Sequence, residues 1–126
     1  MTGGYAGGRC LLNNTEYFSN GTWNKSPSML MHSYASCMAQ LNDTYTIHMG
    51  GYGTKECDVV GNPTNRVLLY DWSKSTWSEI EPMRKARSFA MCGALENGEV
   101  IIAGGRDAQG ALSSVEFYAA ANGQWT

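Results

Sequence analysis

The chain has 126 residues and a formal net charge of −2, which is the length of one ordinary domain. It is 43% hydrophobic and 16% charged, unlike a disordered tail, and its largest basic run, MRKAR (83–87), gives little support for binding nucleic acid or anionic membrane. No apolar run approaches the roughly 18 residues needed to cross a bilayer, and TGGYAGG after Met1 is unlike a signal peptide.

The predicted elements are short β-strands separated by turns rich in glycine and asparagine. In chain order the runs are TEYF (15–18), SYASC (33–37), TYTIHM (44–49), RVLLY (66–70), SFAMC (88–92), EVIIA (99–103) and SVEFY (114–118). Short runs of β-branched and aromatic residues between turn residues are typical of strands. No segment has a sustained apolar period of 3.6 residues. The sequence therefore predicts an all-β fold.

Glycine pairs and tryptophans recur at a fixed spacing along the chain. Gly50 follows Trp23 by 27 residues, and Gly104 follows Trp77 by the same distance. An aromatic residue precedes Trp23, Trp77 and Trp125 by five or seven positions, at Phe18, Tyr70 and Tyr118. The chain therefore contains a repeat of about 50 residues. Each unit is predicted to have an inner strand a, a strand b ending in Gly-Gly, a strand c ending in an aromatic residue, and a strand d opening with Trp.

The repeat residues have physical roles that suit stacked sheets. Glycine allows the chain to turn with positive φ where a side chain would clash. Tyrosine and tryptophan are large apolar groups with one polar atom, which suits them to the space between sheets. A single four-stranded sheet cannot bury both of its faces, so each unit needs neighbours of the same kind.

The Gly-Gly pair, the later aromatic residue and the following Trp together resemble the kelch repeat, whose units form the blades of a β-propeller. The match is fullest in MRKARSFAMCGALENGEVIIAGG (83–105), where Arg87 opens strand a. The second unit departs from the pattern, with His32 where the family usually has Arg and with a longer b–c loop. The structural motif residues implied by the resemblance are Gly3, Gly4, Phe18, Trp23, Gly50, Gly51, Tyr70, Trp77, Arg87, Gly104, Gly105, Tyr118 and Trp125.

The units divide the chain into a little over two four-stranded antiparallel blades. Residues 1–26 are predicted to hold the end of a blade, residues 27–81 a complete blade, and residues 82–126 a blade with only the start of strand d. The family's rings close with about four to eight blades, so an incomplete propeller with uncovered apolar faces is predicted. We expect a fragment of a longer propeller; the alternative is a chain that self-associates to complete the ring.

Four cysteines leave the disulfide state open. A link between Cys37 and Cys57 within the second unit is one candidate, since the b–c loop and the start of strand a share an edge. Alignment of SYASC with SFAMC places Cys37 and Cys92 at the same position of strand a in successive units. The alternative is that these two cysteines are small buried core residues without a bridge. No CxxC pattern occurs, which argues against a zinc site.

Four Asn-x-Ser/Thr sequons make Asn13, Asn20, Asn24 and Asn42 candidate glycosylation sites. Random order would produce roughly one or two such triplets. Together with the cysteines, the sequons favour a secretory or extracellular setting. The kelch resemblance favours the cytoplasm instead, because most of that family is intracellular. The two indications leave the compartment open.

The sequence offers no constellation for catalysis, and we predict no catalytic residues, metal or cofactor. His32 and His48 fit no metal-ligand spacing, and no helical segment follows Lys55 to form a phosphate loop. The kelch-type fold also hosts copper radical oxidases resembling galactose oxidase, but their Tyr–Cys cross-link and paired His ligands have no match here. The enzyme alternative is therefore a propeller whose catalytic blades lie outside this chain.

A protein-interaction module is the predicted function. The resemblance implies a partner-binding face made of the b–c loops (52–66 and 106–113) and the d–a loops (25–32 and 79–87). Its candidate anchors, of residue types frequent in binding sites, are Tyr52, Lys55, Arg66, Arg84 and Arg106. The alternative for each is an ordinary exposed loop residue, and Arg87 could either face the partner or form an ion pair between blades.

Two settings for such a module stay open. It could be the substrate-recruiting part of an intracellular adaptor, as in kelch proteins that carry a BTB domain, or an extracellular recognition domain. Protein partners are predicted in both settings, whereas nucleic acid and membrane insertion are not.

Overall fold

The structure, a computed structural model, describes residues 2–6, 10–54 and 62–126. The strands in these ranges are β1 (Thr2–Ala6), β2 (Cys10–Ser19), β3 (Thr22–Ser26), β4 (His32–Tyr34), β5 (Cys37–Gln40), β6 (Tyr45–Met49), β7 (Tyr52–Thr54), β8 (Val67–Asp71), β9 (Thr76–Ile80), β10 (Met91–Ala94), β11 (Glu99–Ala103), β12 (Val115–Ala119) and β13 (Gln124–Trp125). None of the described segments forms a helix of the length and apolarity that crossing a membrane requires.

The strands form three antiparallel sheets that follow one another along the chain. The second sheet has the order β5-β6-β8-β9 and the third has the order β10-β11-β12-β13, so each is a four-stranded meander. The first sheet has the order β1-β2-β4-β7, and β3 also pairs with β2. The prediction of an all-β fold made of four-stranded antiparallel units is confirmed, and the sheets form an open array that does not close into a ring.

Two short strands differ from the prediction. The predicted strand SYASC (33–37) is divided between β4 and β5, and β7 was not predicted. β4 pairs with β2 through Leu12 and Ser33, and it pairs with β7 along its whole length. These strands lie immediately before β5 and immediately after the glycine pair that follows β6. They extend the first sheet onto the segment that leads into the second, so the two sheets share a hydrogen-bonded edge.

The alternation of side chains along β8 assigns each face of the second sheet to a different neighbour. Successive strand residues point to opposite faces. Val67 is fully buried in a core shared with Val100 of the third sheet. Leu68, the next residue, is fully buried against Met29 and Met31 from the connection between β3 and β4. The second sheet is thus covered on both faces.

The repeated tryptophans attach each sheet to the connection that leads into it. Trp77 Nε1 donates to the carbonyl oxygen of Pro27 at 2.9 Å, and Trp125 Nε1 donates to that of Glu81 at 2.8 Å. Pro27 and Glu81 lie just before the second and third sheets, respectively. Trp23, in the same place on the first sheet, is 60% exposed.

The glycine pair at 50–51 lies where two sheets approach each other most closely. Gly50 has φ 62°, and a Cβ atom there would overlap the carbonyl oxygen of Arg87 in the connection to the third sheet. Gly51 has φ 84°, and a Cβ atom there would come within 2.6 Å of the Tyr34 carbonyl oxygen. Because Gly50 has no side chain, the connection to the third sheet can approach it. Because Gly51 has none, the segment that leads into the second sheet can approach it.

The predicted Cys37–Cys57 link is wrong, because Cys37 is disulfide-bonded to Cys92. Cys57 lies outside the described residues. Cys37 begins β5 in the second sheet and Cys92 lies in β10 of the third, with their Cα atoms 6.0 Å apart. This separation is common for disulfides. The alternative of two unbridged core cysteines is wrong as well, and the bond joins two neighbouring sheets.

A one-residue offset between the two cysteines lets them meet. Met49 and Ala103 each precede a glycine pair. Cys37 pairs with Met49, whereas it is Met91, one residue before Cys92, that pairs with Ala103. A shift of one residue reverses the face to which a side chain points. The Cys37 side chain therefore points toward the third sheet, and the Cys92 side chain points toward the second. In the chain-entropy estimate, a link across a sequence separation of 55 residues stabilises a fold by about 4 kcal/mol.

The outer faces of the array are apolar and uncovered. On the third sheet Met91 is 80% exposed and Val115 is 44% exposed. Val67, the counterpart of Val115 in the second sheet, is fully buried. On the first sheet, Phe18 is exposed to 61%. Burial of these side chains therefore requires further protein on both sides.

Candidate functional site

The predicted b–c and d–a loops meet at one end of the array. Met83, in the connection to the third sheet, donates its N–H to the Asn65 carbonyl oxygen at 3.0 Å, and Asn65 Nδ2 donates to the Met83 carbonyl oxygen at 2.9 Å. Asn13 and Met29 repeat this arrangement one sheet earlier, at 3.4 Å for the side-chain bond and 2.7 Å for the backbone bond. In both sheets, an asparagine five residues before the aromatic residue of strand c (Phe18 or Tyr70) thus holds the connection to the following sheet.

Arg87 is buried at this end and does not face a partner. Its Nε and Nη2 donate to Glu116 Oε2 at 3.1 and 3.0 Å. Its Nη1 donates to the carbonyl oxygens of Gly104 and Ser114, both at 2.8 Å. Its backbone N–H donates to Thr64 of the second sheet at 3.1 Å. The ion pair lies within the third sheet, so the suggested pairing between blades is wrong; the backbone of Arg87 makes the link between sheets instead.

Glu116, which the sequence did not single out, is the buried acceptor of this network. Besides Arg87, the backbone N–H groups of Arg84 and Lys85 donate to its two carboxylate oxygens at 2.6 and 3.2 Å. Arg84 Nη2 donates to the carbonyl oxygen of Trp125 at 3.1 Å. A buried ion pair is tolerated when the remaining hydrogen-bonding capacity is used in this way.

In the second sheet, Ser33 rather than His32 occupies the position of Arg87. Ala35 and Phe89 both have positive φ, 55° and 54°, and each lies 15 residues before a glycine pair. Counting back from these residues aligns Ser33 with Arg87. The prediction that His32 occupies the position of the family arginine is therefore wrong by one residue.

The charge pair of the third sheet is replaced by apolar packing in the second. Leu68 occupies the register in β8 that Glu116 occupies in β12. It is fully buried against Met29 and Met31. Ser33 is also buried, and its Oγ has no hydrogen-bond partner among the described residues. The contact between strand c and the connection that leads into the sheet is therefore ionic in the third sheet and apolar in the second.

Three aromatic rings, two half-buried and one exposed, cluster beside these connections. Tyr34 and Tyr52 stack across β4 and β7 with ring centroids 4.9 Å apart. Phe89 lies edge-on to both rings, at 6.4 Å from Tyr34 and 6.2 Å from Tyr52. Phe89 is 63% exposed, and its N–H donates to the Ala35 carbonyl oxygen at 2.9 Å. We call Tyr34, Tyr52 and Phe89 the aromatic cluster.

Arg106 adjoins the aromatic cluster. Its backbone exchanges hydrogen bonds with Ser88, at 3.0 and 2.9 Å, and its side chain is exposed. Phe89 and Arg106 line a shallow depression together with Gly105 and Ala111. The structure therefore places two of the predicted binding residues, Tyr52 and Arg106, beside the same exposed ring.

The other predicted binding residues have different surroundings. Arg66 donates from Nε and Nη2 to the Glu79 carboxylate at 2.7 and 2.8 Å. These hydrogen bonds raise the pKa of the Arg66 guanidinium above its ordinary value. Arg84 is exposed at the end that carries the aromatic cluster, while Lys55 lies outside the described residues.

The four sequons lie in different parts of the fold. Asn20 and Asn42 are exposed in the turns between β2 and β3 and between β5 and β6. Asn24 is half-buried in β3, where its Nδ2 donates to the Thr22 carbonyl oxygen at 3.2 Å. Asn13 is half-buried in β2 and holds the connection to the second sheet.

His48 is a fully buried histidine of β6. Its ring lies edge-on to that of Trp77 at 6.3 Å, and neither ring nitrogen has a hydrogen-bond partner in the part of the chain that is described. Burial lowers its pKa from 6.5 to about 4. Ile102 occupies the same register of β11. No group of three His, Cys, Asp or Glu side chains in residues 2–6, 10–54 and 62–126 is placed to hold a metal ion.

We expect the free energy of unfolding to fall by about 3 kcal/mol between pH 6.5 and pH 4 because of His48. Over this range the unfolded chain binds a proton at the imidazole, while the folded chain keeps it neutral, so acid favours unfolding. His48→Ile, which copies Ile102, should remove this part of the pH dependence in urea unfolding. If His48→Ile lost as much stability between pH 6.5 and pH 4 as the unmodified protein does, His48 would not be the source of the pH dependence.

The alignment of SYASC with SFAMC hid the exposed phenylalanine. It matched Tyr34 with Phe89, whereas the backbone angles match Ala35 with Phe89. Counting back from the glycine pairs would have found the correct match.

Known proteins similar to this chain were found by sequence comparison. Kelch-like protein 36 of Mus musculus is 30% identical over 131 residues, which cover 100% of this chain and 21% of that protein. Kelch-like protein 40 of Mus musculus is 38% identical over 63 residues, 49% of this chain and 10% of that protein. An F-box/kelch-repeat protein of Arabidopsis thaliana is 34% identical over 65 residues, 51% of this chain and 16% of that protein. No family model matches the chain.

The chain spans about a fifth of the length of the first of these curated relatives. The aligned proteins carry the name of the repeat that the sequence resembles. The sheets have the four-stranded antiparallel form of its blades. The chain is a kelch-repeat protein.

Proposed function

We propose that this chain is a non-catalytic recognition module that binds a protein partner at the end carrying the aromatic cluster. The observation that supports this most directly is Phe89, which is 63% exposed and lies beside Tyr52 and Arg106. Aromatic and arginine side chains are the commonest anchors of protein interfaces. Burial of Phe89 by a partner would remove a large apolar surface from water.

The charges at this end indicate the chemistry of the partner. Arg84, Lys85 and Arg106 are exposed here, whereas Arg66 is already paired with Glu79. Glu81, in the connection to the third sheet, is the exposed acid nearby in sequence. A partner segment with an apolar anchor and acidic neighbours would complement both features.

Two settings are compatible with this activity. The module could recruit substrates for an intracellular adaptor, or it could recognise proteins outside the cell. The aromatic cluster would act in the same way in both, because it depends on a rigid platform and exposed loops.

We also propose that further blades cover the two open faces. On this proposal the blades of this chain are residues 1–26, 27–81 and 82–126, and the exposed Met91 and Val115 support a blade beyond the third sheet. Light scattering and thermal melting of the purified 126-residue chain test this. A discrete oligomer with a cooperative melt would point instead to self-association.

Phe89→Ala is expected to weaken partner binding at least about tenfold, which corresponds to 1.4 kcal/mol. A partner captured by cross-linking to the unmodified protein would be purified and its affinity measured by calorimetry. The variant should change the free energy of unfolding by less than about 1 kcal/mol, since the ring is mostly exposed.

The matched control is Lys74→Ala, an exposed cation in the turn between β8 and β9 at the opposite end of the second sheet. It should leave the affinity unchanged. Equal affinities of the unmodified protein and Phe89→Ala would place the binding surface elsewhere.

A further inference from the structure

The disulfide between Cys37 and Cys92 indicates the chemical environment in which the protein matures. Cys37 and Cys92 each follow a residue of the aromatic cluster by three positions, Tyr34 and Phe89. The bond therefore fixes the spacing of the two segments that carry these rings. Disulfides form and persist in oxidising compartments and are rare in reducing ones.

The sequons at Asn20 and Asn42 provide a second, independent observation. Asn20 has φ 51° and is exposed in the turn between β2 and β3. Asn42 accepts hydrogen bonds from the backbone N–H groups of Thr44 and Tyr45 through Oδ1, both at 2.9 Å. These bonds do not use Nδ2, the atom that carries an N-linked glycan. Both asparagines thus offer accessible acceptors in turns.

The topology places these two turns away from the aromatic cluster. In an antiparallel meander, the a–b and c–d turns lie at one end and the b–c and d–a connections at the other. Asn42 lies in an a–b turn and Asn20 in a c–d turn. Glycans at these residues would leave the end with Phe89 uncovered. Asn13, by contrast, lies at the end where the sheets are joined.

We propose that the protein matures in an oxidising, glycosylating compartment, where Asn20 and Asn42 receive N-linked glycans and Cys37–Cys92 joins two blades. In each transfer, Asn Nδ2 forms a bond to C1 of a lipid-linked oligosaccharide and loses a proton. The C1–oxygen bond breaks, and the lipid diphosphate leaves. The two thiols lose two protons and two electrons to a protein disulfide by exchange. This inference does not depend on the proposed binding surface.

The test uses the complete natural gene expressed in eukaryotic cells, with gel mobility compared before and after peptide N-glycosidase treatment. Asn20→Gln and Asn42→Gln should each remove one step of the mobility shift. Thr22→Ala and Thr44→Ala should remove the same steps while leaving the asparagines in place, which separates loss of the acceptor from misfolding. Asn13→Gln is the control and should leave these two steps intact.

Mass spectrometry of the unreduced protein completes the test. A cross-linked pair of peptides containing Cys37 and Cys92 is expected, together with the mass change of enzymatic deglycosylation at Asn20 and Asn42. The proposal is overturned if the two cysteines are alkylated without reduction. It is equally overturned if Asn20 and Asn42 are unmodified, or if the glycans are found only at Asn13 or Asn24.

Discussion

Glu116→Ala is expected to lower the free energy of unfolding by about 3–5 kcal/mol, because it leaves the guanidinium of Arg87 buried without its anionic partner. The backbone N–H groups of Arg84 and Lys85 lose their acceptor as well. Urea unfolding followed by circular dichroism measures the change. Glu79→Ala, which removes the half-exposed partner of Arg66, is the matched control and should lose no more than about 1 kcal/mol.

The second sheet supplies the variant that separates charge from packing. Arg87→Ser combined with Glu116→Leu reproduces the Ser33 and Leu68 found there. Replacing a buried ion pair by apolar packing is often nearly neutral, whereas removing one partner is not. The double variant should therefore be more stable than Glu116→Ala. Destabilisation equal to the sum of the two single changes would show that the residues are not coupled.

Gly50→Val is expected to abolish cooperative folding. The residue has φ 62°, which a β-branched side chain adopts only with strain. Its new Cβ would also overlap the carbonyl oxygen of Arg87, a backbone atom that is held by its hydrogen bond from Gly51 at 2.6 Å. The third sheet would have to move away from the second to relieve the overlap.

Gly93→Val is the control for this substitution. Gly93 lies in β10, and a Cβ atom there would have no heavy atom within 4 Å. Valine favours strands, so this variant should unfold at the original temperature or above it. Thermal melting by circular dichroism distinguishes the two variants. An unchanged melting temperature for Gly50→Val would exclude the structural role given to the glycine pair.

The sequence predicted the b and c strands of the second and third sheets closely, since the relevant signals are local. Short runs of β-branched and aromatic residues, glycine pairs and a tryptophan at a fixed distance depend only on positions along the chain. β8, β11 and β12 lie within one residue of the runs RVLLY, EVIIA and SVEFY. The inner strands β5 and β10 begin at Cys37 and Met91, later than the predicted runs SYASC and SFAMC. β7 was not predicted because three residues carry too little pattern.

The site was harder to predict because its pairings depend on which face a side chain occupies. Cys37 and Cys92 were recognised as equivalent, yet they meet only because they are offset by one residue. The same single-residue ambiguity placed His32 where Ser33 lies. Glu116 was invisible for another reason, since a carboxylate in a strand gives no sign of the buried arginine it will accept.

The joint between the second and third blades combines a covalent bond with backbone hydrogen bonds. Cys37 is bonded to Cys92, and the Arg87 backbone donates to Thr64 and accepts from Gly51. We therefore expect the second and third blades to move as one rigid body. Phe89 lies between Arg87 and Cys92 in sequence, so its exposed ring should be presented to a partner from a fixed position.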